Sequence, residues 1–329
     1  MLHLDGAHLE GGGQLVRTAV ALAAVTGEEV TVERLRAGRE TPGLRPQHLA
    51  AVRAVAGCCG ARVDGLAVGS DRLIFRPGPL RETHGRVEVG TAGAVPLVLQ
   101  AWLPVALAAG GSITVAGGTE VPLGPTVDYA DRVLFSFLRA HGARISLELR
   151  NRGYAPRGGG EVSVAVSPGT LAPLDPENVP VVPGAISAAA NLPAHVPARQ
   201  LAAAREVLEP VTGPLGEAVV DLRGGGVSTG SSITCWAGPK GTSALGRRGL
   251  PAERVGRAAA RALLGEVLLP GQVDARLADQ LLVYLARYGG VFTATGCTRH
   301  AGTVSWLLGE FGLPVSHGPG DGGGVLFSG

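Results

Sequence analysis

Glu10-Gly11-Gly12-Gly13-Gln14-Leu15-Val16-Arg17 places a carboxylate, three glycines, an amide and an arginine directly before an apolar run that extends to Val25. Glycines let the backbone approach a ligand in conformations that a Cβ forbids. A glycine turn that leads into a helix also points free N–H groups and the positive end of the helix dipole at a ligand, which suits phosphate. Glu10 could then bind a divalent cation, and Arg17 could bind a phosphate through two hydrogen bonds. The same pattern also fits a strand-to-helix turn whose charged side chains are merely solvated.

The composition excludes several classes of protein. The chain has 329 residues, 45% of them hydrophobic, and a net charge of only +2, so it has a sizeable core and no broad basic surface for duplex nucleic acid. Aromatic residues, at 4%, are too scarce for a long base-stacking surface. The only lysine, Lys240, is followed by glycine rather than Ser or Thr, so the usual phosphate-binding loop of nucleoside triphosphatases is absent.

The cysteines and the apolar segments point to an intracellular protein. No two of the four cysteines have the CxxC spacing, which argues against a zinc site or a disulfide framework. The longest apolar segment, Val89 to Ala109, is interrupted by glycines and prolines and is typical of a buried helix rather than a membrane span. We recognise no signal peptide before the first strand. We therefore expect a soluble, reduced, cytoplasmic protein.

An internal repeat organises the chain. A helix, a glycine turn, a strand, a loop, a second helix and a further strand follow one another from Gln14, again from Thr91, and again from Arg276. Gln14, Gln100 and Gln280 fall at comparable places near the first helix of each copy. The third copy is displaced by a segment that begins after the proline- and glycine-rich stretch 168–183 and closes at Pro270-Gly271. We interpret residues 177–273 as a smaller α/β domain inserted into a larger one.

Some residues suggest chemistry, but the local pattern alone leaves each interpretation open. Arg36, Arg39 and Arg45 around a Pro-Gly turn would form a compact anion site or simply a solvated loop. Gln47 and His48 at a helix start could be ligands or caps. In Gly226-Val227-Ser228-Thr229-Gly230 no helix follows the serine, so a flexible turn is favoured over a nucleophile elbow.

Two further residues lie in or next to helices of the third copy. Asp279 interrupts an otherwise apolar helix beside Gln280, and a charged side chain there must be paired, capping or functional. His300 stands at the head of its helix. A helix N-terminus disfavours the imidazolium form and keeps the ring neutral, which is the form that can attack phosphorus. A lone histidine in that position is more often a cap or a surface residue.

Taken together, the motifs resemble the RNA 3′-terminal phosphate cyclase family over essentially the whole chain. The matching segments in the N-terminal half are Leu4-Asp5-Gly6, the stretch 9–17, Arg36-Ala37-Gly38-Arg39, Pro42-Gly43-Leu44, Gln47-His48-Leu49, Gly90-Thr91-Ala92-Gly93, Leu97-Val98-Leu99-Gln100 and Gly117-Gly118-Thr119-Glu120-Val121-Pro122. Further along they are the stretch 153–161, Gly241-Thr242-Ser243-Ala244-Leu245-Gly246 and Leu277-Ala278-Asp279-Gln280-Leu281.

The resemblance implies an α/β (α+β) fold. Its large domain would contain three repeated βαβαββ-like units, residues 1–176 and 274–329, similar to the C-terminal domain of a translation initiation factor. The smaller α/β domain, residues 177–273, would be inserted before the third unit. This organisation agrees with the repeat and the insertion inferred from the residues themselves.

The resemblance also implies ATP-dependent conversion of an RNA 3′-phosphate to a 2′,3′-cyclic phosphate through a covalent histidinyl-AMP. The partner would be an RNA 3′-phosphate end, with no membrane and with a homodimer left open, and the reaction would require Mg²⁺ or Mn²⁺. By motif position, His300 is similar to the family's nucleophile and Glu10 to its metal ligand. The positions similar to phosphate or nucleotide contacts are Arg17, Arg36, Arg39, Gln47, His48, Gln100, Pro125, Arg276, Asp279 and Gln280.

Two residues depart from the family pattern, and other functions stay open. Val304 stands where members usually have Asn, and Arg276 where many have Tyr or His, although a guanidinium can still stack on adenine. One alternative is a non-catalytic binding protein like the cyclase-like factors of ribosome assembly, which lack the nucleophilic histidine. Another is adenylylation of other phosphate ends, such as 5′-phosphates. The fold also resembles enolpyruvyl transferases, which would not need this histidine.

Overall fold

The structure is a computed structural model that describes residues 1–9, 11–90, 92–320 and 322–329. The first unit contains two helices and four strands. They are β1 (Leu2–Asp5), α1 (Gly13–Thr26), β2 (Val30–Glu33), α2 (Pro46–Cys59), β3 (Arg62–Asp64) and β4 (Leu73–Arg76). The sheet order is β1-β2-β4-β3, with β1 and β2 parallel and the other pairs antiparallel.

The second unit repeats this arrangement. Its elements are β5 (Thr83–Glu88), α3 (Val95–Ala109), β6 (Gly111–Gly117), α4 (Val127–Tyr129), α5 (Ser136–Ala140), β7 (Arg144–Asn151) and β8 (Gly160–Ser167). A π-helical segment, Ala130–Phe135, joins α4 to α5, so these three form one long second helix. The sheet order is β5-β6-β8-β7, again with a parallel first pair.

The inserted unit has a different strand order. Its elements are β9 (Pro183–Ala190), α6 (His195–Thr212), β10 (Glu217–Arg223), β11 (Gly230–Ala237), β12 (Lys240–Leu245) and α7 (Ala252–Leu268). The sheet runs β10-β9-β11-β12, and α6 and α7 pack on the same face of it. The unit has a hydrophobic cluster of its own, formed by side chains such as Leu201, Ile233 and Leu263. We propose on that basis that residues 177–273 are a separate domain.

The third unit closes the chain. Its elements are α8 (Ala275–Tyr288), β13 (Val291–Ala294), α9 (Arg299–Glu310), β14 (Ser316–Pro319) and β15 (Val325–Ser328). The sheet order is β13-β15-β14. Val273 forms a parallel bridge with Ala294, in the place that the first strand takes in the other two units. The same strand order and helix placement therefore occur three times, and the predicted fold class is confirmed.

Local chemistry explains where the helices begin and end. Gly27 and Gly60 end α1 and α2 in the left-handed conformation, with φ of 77° and 58°, and each donates its N–H to the last turn. Buried apolar faces of α1, α2 and α3 pack on one another and on the α8–α9 pair in one continuous core. Among the described residues, no helix is both long and apolar enough to cross a membrane.

Candidate functional site

The first helices of the three repeated units meet at one point. Around a cavity of about 40 Å³, α1, α3 and α8 each contribute a glutamine and the residue four positions further on. These pairs are Gln14 and Thr18, Gln100 and Pro104, and Gln280 and Tyr284. Residues four apart share one face of a helix, so the repeat places equivalent faces around a common axis. Arg17 and Asp279 also line the cavity and supply its charges.

Hydrogen bonds connect the glutamines across units that are far apart in sequence. Gln100 Nε2 donates to Gln280 Oε1 at 2.8 Å, and Gln280 Nε2 donates to the Arg276 carbonyl at 2.8 Å, one turn earlier in α8. These bonds fix the orientation of both amides. The cavity therefore presents fixed amide groups beside the Arg17 guanidinium, a set suited to phosphate oxygens.

Asp279 connects this cavity to His300. Thr298 is the N-cap of α9: its Oγ1 accepts from the Ala301 N–H at 3.0 Å and donates to Asp279 Oδ2 at 3.0 Å. Burial raises the pKa of Asp279 to about 7, although the charge of His300 and the Thr298 hydrogen bond act in the opposite direction. The His300 side chain is exposed at the start of α9, within electrostatic range of Asp279.

Asp274 fixes the start of α8, which carries Asp279 and Gln280. It caps the helix by accepting from the N–H groups of Arg276 and Leu277 at 2.9 and 2.8 Å. The Tyr129 hydroxyl from the second unit and the Gly241 N–H from the inserted unit also donate to it, each at 2.9 Å. Burial raises the pKa of Asp274 to about 6, against the effect of these hydrogen bonds. Three parts of the chain thus hold α8 in place.

His48 is buried and lies against the glycine turn. Its Nδ1 accepts from the Arg45 N–H at 3.0 Å, and its Nε2 lies so close to Gly13 that a Cβ there would overlap the ring. Burial, and then the charges of Arg17, Arg36 and Arg45, lower its pKa to about 3. Because Nδ1 accepts, we assign the proton of the neutral ring to Nε2. His48 is therefore a neutral donor under the N-terminus of α1.

The arginine loop forms a cationic group next to His48. Arg36, at φ 56°, donates from Nη1 to the carbonyls of Thr41 and Gly43 at 2.7 and 2.9 Å. Burial, and then the charges of Arg45 and Arg39, lower its pKa. Gln47 joins the loop to the second unit, because its Oε1 accepts from the Ala94 N–H at 3.4 Å. The mutual proximity of three guanidinium groups makes this loop a favourable place for an anion.

The remaining predicted residues lie outside the cavity. Pro125 directly precedes the N-cap of α4, and the exposed Arg276 side chain is not part of the cavity lining. Glu10, the predicted metal ligand, lies outside the described residues. Within the described ranges, no group of three or more His, Cys, Asp or Glu side chains is arranged to hold a metal ion. A metal site therefore stays a prediction.

Sequence reasoning missed several residues that organise the site. Asp274 and Thr298 each stand directly before a helix, which is the usual N-cap signal, whereas nothing in the sequence singles out Tyr129. Ser228, in the G-x-S-x-G match, is buried and accepts from the Tyr154 N–H at 2.9 Å. It is a structural residue, and no helix follows it, as expected.

Comparison with known proteins gives one consistent result. A family model described as "RNA 3′-terminal phosphate cyclase" matches residues 8–314. A protein of that name from Methanosarcina mazei is 42% identical over 94% of this chain and 95% of its own length. A protein of the same name from Nitrosospira multiformis is 44% identical over 96% of this chain and 92% of its own length. Another from Archaeoglobus fulgidus is 41% identical over 94% of this chain and 95% of its own length.

Proposed function

The chain belongs to the RNA 3′-terminal phosphate cyclase family, and from this premise we propose that it converts an RNA 3′-phosphate to a 2′,3′-cyclic phosphate at the expense of ATP. The observation that carries the proposal is the convergence of Arg17, Gln100, Gln280 and Asp279 on one cavity next to His300. This set combines phosphate-binding groups with one nucleophile.

We propose three steps for the reaction. A ring nitrogen of His300 attacks the α-phosphorus of ATP, a P–N bond forms, and the P–O bond to the β-phosphate breaks to release pyrophosphate. An oxygen of the RNA 3′-phosphate then displaces the histidine and takes the AMP group. The 2′-hydroxyl finally attacks the 3′-phosphorus, loses its proton and expels AMP. The 2′-hydroxyl requirement makes the substrate RNA rather than DNA.

The side chains at the site fit the first step. Arg17 and the amides of Gln100 and Gln280 would bind phosphate oxygens and stabilise the charge that develops on them. The loop of Arg36 and Arg39, with Gln47 and the neutral His48, would extend the phosphate-binding surface along the glycine turn. Pro125 and Arg276 would contact the base or ribose, further from the phosphates.

A divalent cation would bind the polyphosphate through Glu10 and neutralise its charge. Apart from Glu10, the site holds guanidinium, amide and imidazole groups and one further carboxyl, Asp279, whose pKa burial raises to about 7. We therefore propose that most of the metal's ligands come from ATP and water. Omission of Mg²⁺ and Mn²⁺, or the substitution Glu10→Gln, should slow adduct formation without changing the unfolding transition of the protein.

The decisive experiment uses α-labelled ATP with Mg²⁺ or Mn²⁺ and protein that has been cleared of bound AMP. We expect an acid-labile label on the denatured protein that disappears in His300→Ala. His195→Ala is a matched control, because His195 also stands exposed at a helix start and should leave labelling intact. A well-folded protein that takes up no label with either metal would exclude catalysis and favour a binding role.

The acceptor is tested with RNA that ends in a 3′-phosphate and with the same RNA carrying a terminal 2′-deoxynucleotide. The first should yield a cyclic end. The second should accumulate the adenylylated end, because no 2′-hydroxyl can displace AMP. Transfer to 5′-phosphate ends alone would assign the protein to the alternative adenylylation activity.

A further inference from the structure

The inserted unit ends in an unusually open edge strand. β10 (Glu217–Arg223) pairs with β9 on one side only and is the outermost strand of its sheet. Across the described residues, no other strand pairs with its outer edge. Proteins generally protect such an edge with lysine, proline, a bulge or a short strand, since its unpaired backbone groups can pair with another chain. β10 has seven residues, no lysine and no proline, and it pairs with β9 without a register shift.

Apolar side chains are exposed along this edge. Val219, Val220 and Leu222 are 37%, 42% and 46% exposed, although they lie within a regular strand. Val182, which is 50% exposed, lies beside Gly216 at the start of β10 and continues the apolar surface. β10 does carry three charged residues, Glu217, Asp221 and Arg223, but they lie on the face opposite Val220 and Leu222. An exposed apolar strand face without lysine, proline or a bulge is typical of a surface that pairs with another strand.

The sequence of β10 is complementary to itself in an antiparallel arrangement. With Val220 on a twofold axis, Val220 faces Val220, Ala218 faces Leu222, and Glu217 faces Arg223. The apolar pairs occupy one face of the strand and the Glu–Arg pairs the other, because residues directly opposite each other share a face. Each of these cross-strand pairs is favourable: the Val220 pair forms once, on the axis, and the Ala218–Leu222 and Glu217–Arg223 pairs each form twice. Only Val219 opposite Asp221 is a mixed pair.

The charged side chains are already oriented along the strand. Glu217 accepts from Arg132 at 2.7 Å, and Arg223 binds Asp221 at 3.0 Å and the Leu149 carbonyl at 2.8 Å. These contacts hold both side chains on the face directed toward the second unit. In the twofold arrangement, Glu217 and Arg223 of a second copy would face Arg223 and Glu217 of the first. These residues would extend the ion pairs into one network of alternating charge.

The backbone polarity agrees with the same axis. The Asn191 N–H donates to the Arg223 carbonyl at 3.0 Å, so Arg223 directs its carbonyl toward β9. Alternate residues of a strand direct their backbone groups to opposite sides, which leaves those of Ala218, Val220 and Leu222 facing outward. An antiparallel pair centred on Val220 would form its hydrogen bonds through these outward N–H and C=O groups of Ala218, Val220 and Leu222.

We propose that β10 pairs antiparallel with β10 of a second copy of this chain, about a twofold axis at Val220. The two four-stranded sheets of the inserted units then form one continuous sheet. This arrangement is independent of the proposed reaction, since β10 lies apart from the cavity residues.

Disulfide trapping tests the arrangement directly. In a Cys297→Ser background, which removes the exposed native thiol, Val220→Cys should form a disulfide-linked dimer under mild oxidation. Directly opposed residues of a hydrogen-bonded antiparallel pair lie about 5.5 Å apart at Cα, within reach of a disulfide. Leu222→Cys, on the same face, is the matched control and should stay unlinked, because it would face Ala218. Cross-linking of Leu222→Cys in preference to Val220→Cys would overturn the register.

A second measurement follows the mass of the protein in solution. The wild type should have twice the chain mass of 33.3 kDa at micromolar concentration, and Val220→Lys should have the mass of a single chain. Val68→Lys, at an exposed valine of the first unit, should stay dimeric. A wild type of single-chain mass at all concentrations would refute the proposal. So would a Val220→Lys variant that keeps the circular dichroism of the wild type and its double mass.

Discussion

At the scale of single residues, the site depends on two buried titratable groups with opposite pKa shifts. His48 is held neutral by burial and by neighbouring arginines, with its pKa lowered to about 3, whereas burial raises the pKa of Asp279 to about 7. Neither shift follows from the sequence, because burial depends on the packing of the whole unit. The sequence did identify both residues, since a polar side chain next to a helix start or within an apolar helix needs a reason.

Gly13→Ala should destabilise the protein and slow adduct formation. The new Cβ would overlap the His48 ring, which is buried and cannot move outward freely. Overpacking of this kind costs about 1–3 kcal/mol. Gly57→Ala is the matched control: a Cβ there contacts nothing within 4 Å, so the interior of α2 should become more stable by about 0.5–1 kcal/mol. Urea unfolding midpoints compare the two. Equal destabilisation by both substitutions would contradict the assigned contact.

Asp279→Asn should change the pH dependence of stability. The folded pKa of Asp279 is above its ordinary value of 3.8, so the stability linked to this group is complete below pH 4 and is lost as the pH rises through 7. An asparagine keeps an acceptor for Thr298 but has no charge to bury. The difference in unfolding free energy between the variant and the wild type should therefore shift in favour of the variant by about 1–3 kcal/mol from pH 5 to pH 8. Urea unfolding at both pH values measures this difference, and a constant offset between the two proteins would argue against a raised pKa.

At the scale of elements, the repeat made the helices easier to predict than the strands. The sequence predicts these helices at Gln14 to Val25, Gln47 to Cys58 and Arg276 to Tyr288, within one or two residues of α1, α2 and α8, because each has an apolar face and a glycine after its last turn. No strand was predicted over β5, β8, β9 or β12. β9 contains mainly small residues that are buried on both faces, so it lacks the alternation that identifies a strand.

Sequence reasoning named helix residues that meet at one cavity, but it missed the contacts that join distant units. Gln100, Asp279 and Gln280 were identified from sequence and do meet at the cavity. The hydrogen bond from Tyr129 to Asp274 spans 145 residues, and no local pattern indicates it. The sequence predicts an ordinary helix from Val127 to His141, and no residue in it marks the π-helical segment at 130–135.

Thr298→Ala should weaken α9 and misplace His300. It removes the N-cap hydrogen bond to the Ala301 N–H and the donor to Asp279, and loss of a threonine cap costs about 1 kcal/mol. The single-turnover rate of adduct formation should fall at a temperature where the thermal midpoint shows that the variant is still fully folded. Thr298→Ser retains the hydroxyl and should restore both values. A rate unaffected by Thr298→Ala would show that the cap does not position His300.

At the scale of the whole molecule, one buried cluster joins the second unit to the inserted unit. The Arg152 guanidinium donates to Glu120 at 2.6 Å, to Asp128 at 2.8 and 3.0 Å, and to Asp221 of β10 at 2.8 Å. Three carboxylates share one cation, and burial together with this crowding raises the pKa of Glu120 despite the nearby guanidinium. The hydroxyls of Thr126, Thr234 and Ser243 form a second connection nearby.

Arg152→Met should be strongly destabilising and pH-dependent. It leaves buried carboxylates without their cation, which typically costs about 3–5 kcal/mol. The loss of unfolding free energy should be smaller at pH 5 than at pH 8, because more of these carboxyls become neutral as the pH falls. Arg150→Met, two residues earlier, removes only exposed ion pairs to Glu148 and Glu161 and should cost less than about 1 kcal/mol. Urea unfolding at both pH values tests this, and similar losses for the two variants would contradict the role of Arg152.

The meeting of α1, α3 and α8 around one cavity has a consequence for the synthesis of the protein. The helices come from the beginning, the first third and the last fifth of the chain, and His300 follows only in α9. A growing polypeptide has its glycine turn and Arg17 almost at once, yet it has no complete site until nearly all of its residues have left the ribosome. A truncated product that ends before α8 contains two of the three glutamines and lacks His300, the proposed nucleophile. On the proposed mechanism, every chain that can react with ATP is thus a nearly finished chain.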